Sequence, residues 1–182
     1  MPEQEQKLIE DAKKDSAAFA VLYEKYFDQI YRYTARRVND VDTAHDLVSQ
    51  TFFDALTHIK SFEWRGVSFV AWLYKIAHNN VLKWYREQSK MTTVELEEGR
   101  NTIDKTVDQV RDLKRRETKD EIAEILDKLE YEEREIIRLK FYEEVSNIEI
   151  AEIMGTNANH VGVKVFRALR KVKQLIANSK TN

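Results

Sequence analysis

Residues 146–170 read SNIEIAEIMGTNANHVGVKVFRALR, and this stretch decides the fold. Ser146 followed three residues later by Glu149 forms a capping box, in which each side chain satisfies the other's unbonded backbone donor, so a helix opens there. Ile148, Ile150, Ala151 and Ile153 give that short helix an apolar face. Gly155 ends it, because glycine enters the left-handed backbone region without steric penalty. Asn157 is placed to cap a second, longer helix, which is expected to bury Val161, Val165, Ala168, Leu169, Val172 and Ile176. A short helix, a glycine turn and a longer basic helix make a helix-turn-helix, which offers one face of its second helix to a DNA major groove. The outward positions at the start of that helix are Asn159, His160, Val163, Lys164 and Arg167. Amide and imidazole groups read base edges, and lysine and arginine hold phosphates. Spacing alone also fits an ordinary helical hairpin with a basic face.

The rest of the chain is built in the same material. It has 182 residues, 42% hydrophobic and 34% charged, enough for two small cores and typical of a globular protein. Pro2 is the single proline, and glycine occurs at Gly66, Gly99, Gly155 and Gly162 only, so the chain is expected to be mostly helix. There is no cysteine, hence no disulfide, thiolate metal site or thiol nucleophile. Apolar runs fall far short of the roughly 20 residues that span a bilayer, so no membrane insertion is expected. Met1 to Asp15 are polar with no apolar secretion core, which points to the cytoplasm. The net charge of −2 hides a segregation: residues 121–152 carry eleven acidic and four basic side chains, whereas 157–182 carry six basic and none acidic. Residues 64–90 are basic as well, with Arg65, Lys75, Lys83, Arg86 and Lys90 against Glu87. Each run alone fits a solvated helix face; two of them, each after a glycine-marked turn, favour contact with a polyanion.

Working back from residue 146, Ile136, Ile137, Leu139 and Phe141 line one helix, and Ile122, Ile125, Leu126 and Leu129 line the one before. Residues 91–118 lose this periodicity and read as a flexible linker. In the N-terminal half a first helix runs from Ser16, with Phe19, Leu22, Tyr23, Tyr26, Ile30 and Tyr33 at three- and four-residue steps. Asn39 and Asp40 interrupt it. A second helix carries Ala44, Leu47, Val48, Thr51, Phe52, Ala55 and Ile59 on one face. After a loop at Ser61 to Val67, a third runs from about Ser68 to Gln88, turning Phe69, Trp72, Leu73, Ile76 and Val81 inward. The predicted fold class is all-α, with two small helical domains on a flexible linker, the second a helix-turn-helix. The boundaries are 1–90, 91–118 and 119–182.

The loop Phe62-Glu63-Trp64-Arg65-Gly66-Val67-Ser68 and the aromatics Phe69, Trp72, Tyr74, Trp84 and Tyr85 are interleaved with cations. Such a pattern suits single-stranded DNA, whose unstacked bases stack on aromatic rings and can be captured in a pocket. Read alone, plain core packing explains these aromatics better, Trp72 above all. His45, His58, His78 and His160 are scattered, without the pairing of a helical zinc site, and there is no phosphate-cradling glycine loop or nucleophile elbow. No enzyme activity, cofactor or metal is expected.

Three ordered motifs narrow the reading further. Phe19-Ala20-Val21-Leu22-Tyr23, Ala44-His45-Asp46-Leu47-Val48-Ser49-Gln50-Thr51-Phe52 and Ala71-Trp72-Leu73-Tyr74-Lys75-Ile76-Ala77-His78-Asn79 resemble the first conserved domain of extracytoplasmic-function (ECF) sigma factors of bacterial RNA polymerase. Residues 122–176, with Glu149-Ile150-Ala151-Glu152-Ile153-Met154-Gly155, resemble the family's other conserved domain. The resemblance implies that 1–90 is a sigma region 2-like domain that binds polymerase and recognises and melts the minus-ten element, and that 119–182 is a region 4-like domain. It implies polymerase contacts at Asp46, Gln50, Thr51 and Phe52. Contacts to the minus-ten element fall on Trp64, Arg65, Ser68, Lys75, His78, Asn79 and Lys83. Those to the minus-thirty-five element fall on Asn159, His160, Lys164 and Arg167. Core RNA polymerase, promoter DNA (duplex and melted non-template strand) and an anti-sigma factor are the partners it implies.

Departures from the family pattern carry their own expectations. Glu130 stands where members usually have a proline after the leucine. His160-Val161-Gly162-Val163-Lys164 stands where a Thr-Val-Lys/Arg-Ser-Arg-like run is typical. Gly162 removes a basic contact and costs on the order of 1 kcal/mol of helix propensity relative to alanine. A good base pairing is worth up to about 1–3 kcal/mol, so reading of the upstream duplex is expected to be weak. Promoter choice would then rest on the minus-ten contacts or on an accessory DNA-bound partner. The rival reading is a stand-alone helix-turn-helix regulator; it leaves the aromatic loop and the Asp46 to Phe52 surface without a task.

Overall fold

The computed structural model describes residues 3–38, 40–91 and 122–179, and these are helical with no strand among them. The chain divides into two compact units, 1–105 and 106–182. The expected linker, 91–118, lies outside the described residues except for Met91.

The first unit is built on α2 (Phe19–Ala35), α3 (Val41–His58) and α4 (Phe69–Met91), which pack on one another pairwise. Phe19, Leu22, Tyr26, Ile30 and Tyr33 are buried, the three- and four-residue steps of one helix face. Asp40 starts α3 by accepting the amide of Thr43 at 2.7 Å and its hydroxyl at 2.8 Å. Ser68 does the same for α4, accepting the Ala71 amide at 3.3 Å. Phe69 and Tyr74 of α4 meet Tyr26 and Tyr33 of α2 with ring centroids 5.7 and 5.0 Å apart, the separation of favourable aromatic pairs. The buried Arg37 lies over the Tyr33 ring at 3.4 Å and donates to the Tyr33 carbonyl at 2.5 Å.

The periodicity left out one element. Glu3–Lys14 forms a helix, α1, packed against α2, where no helix was expected before Ser16. Its apolar content is slight, but Ile9 and Ala12 are 2% and 3% exposed. Glu5 pairs with Lys25 at 2.9 Å and accepts from the Tyr26 hydroxyl. Tertiary docking, rather than a visible apolar stripe, makes this helix.

The second unit comprises α5 (122–127), α6 (Tyr131–Phe141), α7 (Asn147–Met154) and α8 (Ala158–Ser179). Leu126, Leu129, Ile137 and Ala168 form one buried cluster with Val172 against it. Ion pairs frame it: Arg134–Asp127 at 2.9 Å, Arg138–Glu135 at 3.6 Å and Lys171–Glu133 at 2.7 Å. Glu130, in the family's proline position, has φ −60° and ψ 150°, the backbone that a proline ring fixes, so its exchange leaves the entry to α6 intact.

Two residues expected inside α8 are not. Leu169 is 42% exposed and Ile176 36%. At roughly 100° per residue, Val161, Val165, Ala168 and Val172 fall within a sector of about 60°, and Leu169 and Ile176 lie about 40° and about 20° beyond its edge.

Candidate polymerase and nucleic-acid interfaces

On α3 the four residues expected to meet polymerase divide by burial. Asp46 and Gln50 are exposed, Gln50 donating to Asp54 at 2.8 Å. Thr51 and Phe52 are 0% and 4% exposed, and this corrects their placement on a contact surface. The Thr51 hydroxyl donates to the Leu47 carbonyl at 2.7 Å and accepts from Asn80 at 3.3 Å. Phe52 sits among Tyr23, Phe19 and Phe27, with centroids 4.7, 6.4 and 6.4 Å away. The outward aromatic is instead Phe53, 65% exposed, on the helix face of Asp46 and Gln50. Its signal was in the sequence: it falls out of phase with the buried series Ala44, Val48, Thr51, Ala55.

In the loop before α4, Phe62 is buried against Phe69 and the half-buried Trp72, each at 5.2 Å between ring centroids, so Phe62 and Phe69 are core and Trp72 flanks them. Trp64 is 45% exposed. Arg65 beside it is exposed and pairs with Glu63 at 2.6 Å, which holds the Glu63 carboxyl below its usual range. Gly66 has φ 82°, a backbone that favours glycine, and so turns the chain back towards α4. Along α4, Lys75, Asn79 and Lys83 fall at four-residue steps on one stripe, Asn79 and Lys83 exposed and Lys75 half-buried. His78 does not join them. It is 4% exposed, with Nδ1 3.2 Å from the Tyr33 hydroxyl, and serves the packing of α2 on α4. Ser68 is half-buried and is the side-chain cap of α4.

The helix-turn-helix forms as its residues dictate. Both arms of the capping box are present, the Ser146 amide bonding Glu149 at 3.1 Å and the Glu149 amide bonding Ser146 at 3.3 Å. Gly155 is left-handed at φ 67°, and the Asn157 side chain accepts the His160 amide at 2.8 Å to start α8. Asn159, His160, Val163 and Arg167 are exposed, whereas Lys164 is half-buried and bonded to Glu132 of α6 at 2.6 Å. Phe166, which drew no notice in the sequence, is 70% exposed. The face therefore mixes an amide, two large apolar groups and cations, a set that can meet base edges, thymine methyl groups and phosphates. Among the described residues no group of three or more His, Asp or Glu side chains is arranged to hold a metal, and no described helix is long and apolar enough to cross a membrane.

These two units are the two conserved parts of a sigma-70-type transcription factor. Sigma-70 region 2 matches residues 22–91, and Sigma-70, region 4 matches residues 119–172. RNA polymerase sigma factor YlaC of Bacillus subtilis is 34% identical over 161 residues, covering 87% of this chain and 92% of that protein. ECF RNA polymerase sigma factor SigW of the same organism is 32% identical over 180 residues, covering 91% and 94%. ECF RNA polymerase sigma factor BldN of Streptomyces coelicolor is 33% identical over 180 residues, 93% of this chain and 64% of that protein. The chain belongs to the ECF family of RNA polymerase sigma factors. The fold is shared with CnrH, solved with the cytosolic domain of CnrY, at TM-score 0.69 and 22% identity over 96% of this chain and 97% of that one. It is shared equally with RpoE of Bartonella quintana, solved with the anti-sigma factor NepR, at TM-score 0.69 and 21% identity over 87% and 96%.

Proposed function

We propose that this chain binds core RNA polymerase through α3, opens promoter DNA with the Trp64–Arg65 loop and the α4 stripe, and meets the upstream duplex with α8. The domain limits 1–90 and 119–182, with 91–118 as the tether, belong to the same proposal. The observation that carries it is the exposure of Trp64 and Arg65 beside a glycine turn, in a loop whose other aromatic, Phe62, is buried. An exposed indole next to a guanidinium stacks on an unpaired base and holds its phosphate. Asp46, Gln50 and Phe53 form the polymerase-facing surface, a mixed polar and apolar patch. Lys75, Asn79 and Lys83 follow the backbone of the opened strand. Asn159, His160, Lys164 and Arg167 meet the minus-thirty-five duplex, weakly, because Gly162 and Val163 supply neither charge nor hydrogen bond. Promoter choice then depends on the minus-ten contacts or on a second DNA-bound protein.

The site of action is the cytoplasm, with the polymerase and its DNA. A protein of the anti-sigma kind, as in the solved complex of RpoE with NepR, is the regulator proposed here, and co-purification from the native host checks it. The function itself is tested by permanganate footprinting with core polymerase on promoters selected from a randomised library. Replacing both Trp64 and Arg65 by alanine is expected to abolish strand opening while sparing polymerase binding; undiminished opening would contradict the assignment. Transcription from the same promoters with the upstream element scrambled is expected to fall little, and a strong fall would reject weak upstream reading. A stand-alone regulator would bind duplex without associating with core polymerase.

A further inference from the structure

The N-terminal end of α8 is basic in sequence, but in the folded unit Lys164 and the His160 imidazole converge on one acid. Lys164 Nζ lies 2.6 Å from Glu132 Oε2, and His160 Nε2 lies 3.6 Å from Glu132 Oε1. Glu132 is in the first turn of α6, so the contact joins two helices rather than neighbours in sequence. The Lys164 side chain is only 21% exposed, against 42% for Glu132 and 46% for His160. The lysine is thus folded down onto the carboxylate, which itself stands in the open. A phosphate approaching this face meets a negative charge first, and reaches Lys164 only after the existing pair is broken. Both effects oppose binding, and the second holds even at salt concentrations that screen the first.

We infer that Glu132 restrains upstream duplex binding by pairing with Lys164 and engaging His160. The inference rests on the proposed reading of α8 as the duplex-facing helix and gives that reading's weakness a second cause besides Gly162. The pair does not carry the fold. α6 and α8 are joined independently by the cluster of Leu126, Leu129, Ile137 and Ala168, and by the bond of Lys171 to Glu133, whose side chain is 7% exposed. Glu132 is therefore open to replacement without collapse of the unit.

The test compares holoenzymes of core polymerase with wild-type, Glu132→Gln, Arg167→Ala and Glu132→Gln/Lys164→Gln chains, each bound to a library-selected promoter that is either complete or truncated just upstream of its minus-ten element. Glu132→Gln is expected to raise the complete-to-truncated affinity ratio about two- to tenfold. It should also steepen the dependence of log affinity on log salt by about 0.9, the increment for one further phosphate neutralised by the released Lys164. The double replacement is expected to abolish both changes, because the effect runs through Lys164; a purely structural effect of Glu132 would survive in it. A ratio that stays level or falls with Glu132→Gln, while Arg167→Ala lowers it, overturns the restraint and leaves α8 as the duplex reader. If neither single replacement moves the ratio, the reading of α8 itself fails.

Discussion

Phe52 and Phe53 stand side by side on α3, one 4% and the other 65% exposed, and the same substitution should act on them in opposite ways. Phe52→Ala removes a ring from a packed aromatic cluster and is expected to cost about 3–5 kcal/mol of unfolding free energy. Phe53→Ala is expected to leave the denaturation midpoint nearly unchanged and to weaken association with core polymerase. Equal loss of stability at both positions would overturn the surface assigned to α3. Gly162 is the converse case, a residue that weakens its own helix. A methyl group there meets only Asn147 Nδ2, at 3.8 Å, so Gly162→Ala is expected to stabilise the second unit by about 0.5–1 kcal/mol, read by urea unfolding. Asp40 links a cap to pH. The Thr43 amide, then its hydroxyl, holds the Asp40 carboxyl below the usual carboxylate range. The stability it lends is therefore complete above the unfolded value of about 4 and is lost as pH falls through the lower folded value. Asp40→Asn is expected to flatten that part of the acid unfolding curve; an unaltered curve would remove Asp40 from it.

Among the elements, those with a strong internal signal were legible and those made by docking were not. α7 was readable to the residue from Ser146, Glu149 and Gly155, because capping and left-handed termination are local chemistry. Ser146→Ala is accordingly expected to cost about 0.5–2 kcal/mol, measured by thermal unfolding. α1 was hidden because Ile9 and Ala12 make too short an apolar line to stand out among charged neighbours. Its anchor is long-range, and Ile9→Ala is expected to cost about 2–5 kcal/mol and to expose the segment to protease. An unaltered digestion pattern would mean that α1 docks through Glu5 alone. α8 was legible in kind but not in facing, since residue type cannot tell Val165 from Leu169 on a helix only one line of which meets a small core. Burial likewise separates Thr51, Phe52 and His78 from the surface, although the family motif names them together with exposed neighbours.

For the molecule as a whole, the all-α architecture and its two units followed from scarce glycine and proline and from the helix-turn-helix, and the family from three ordered motifs. The convergence of Lys164 and His160 on Glu132 was beyond the sequence, because it depends on how α6 lies against α8. The central claim is that two helical modules of one chain confer promoter-specific initiation on a polymerase that lacks it. Run-off transcription by purified core polymerase on a randomised promoter library, with and without this chain, tests it most directly. The account predicts transcripts from a defined promoter class that appear only when the chain is added. Failure of the chain to bind core polymerase and to yield any such transcript would contradict it.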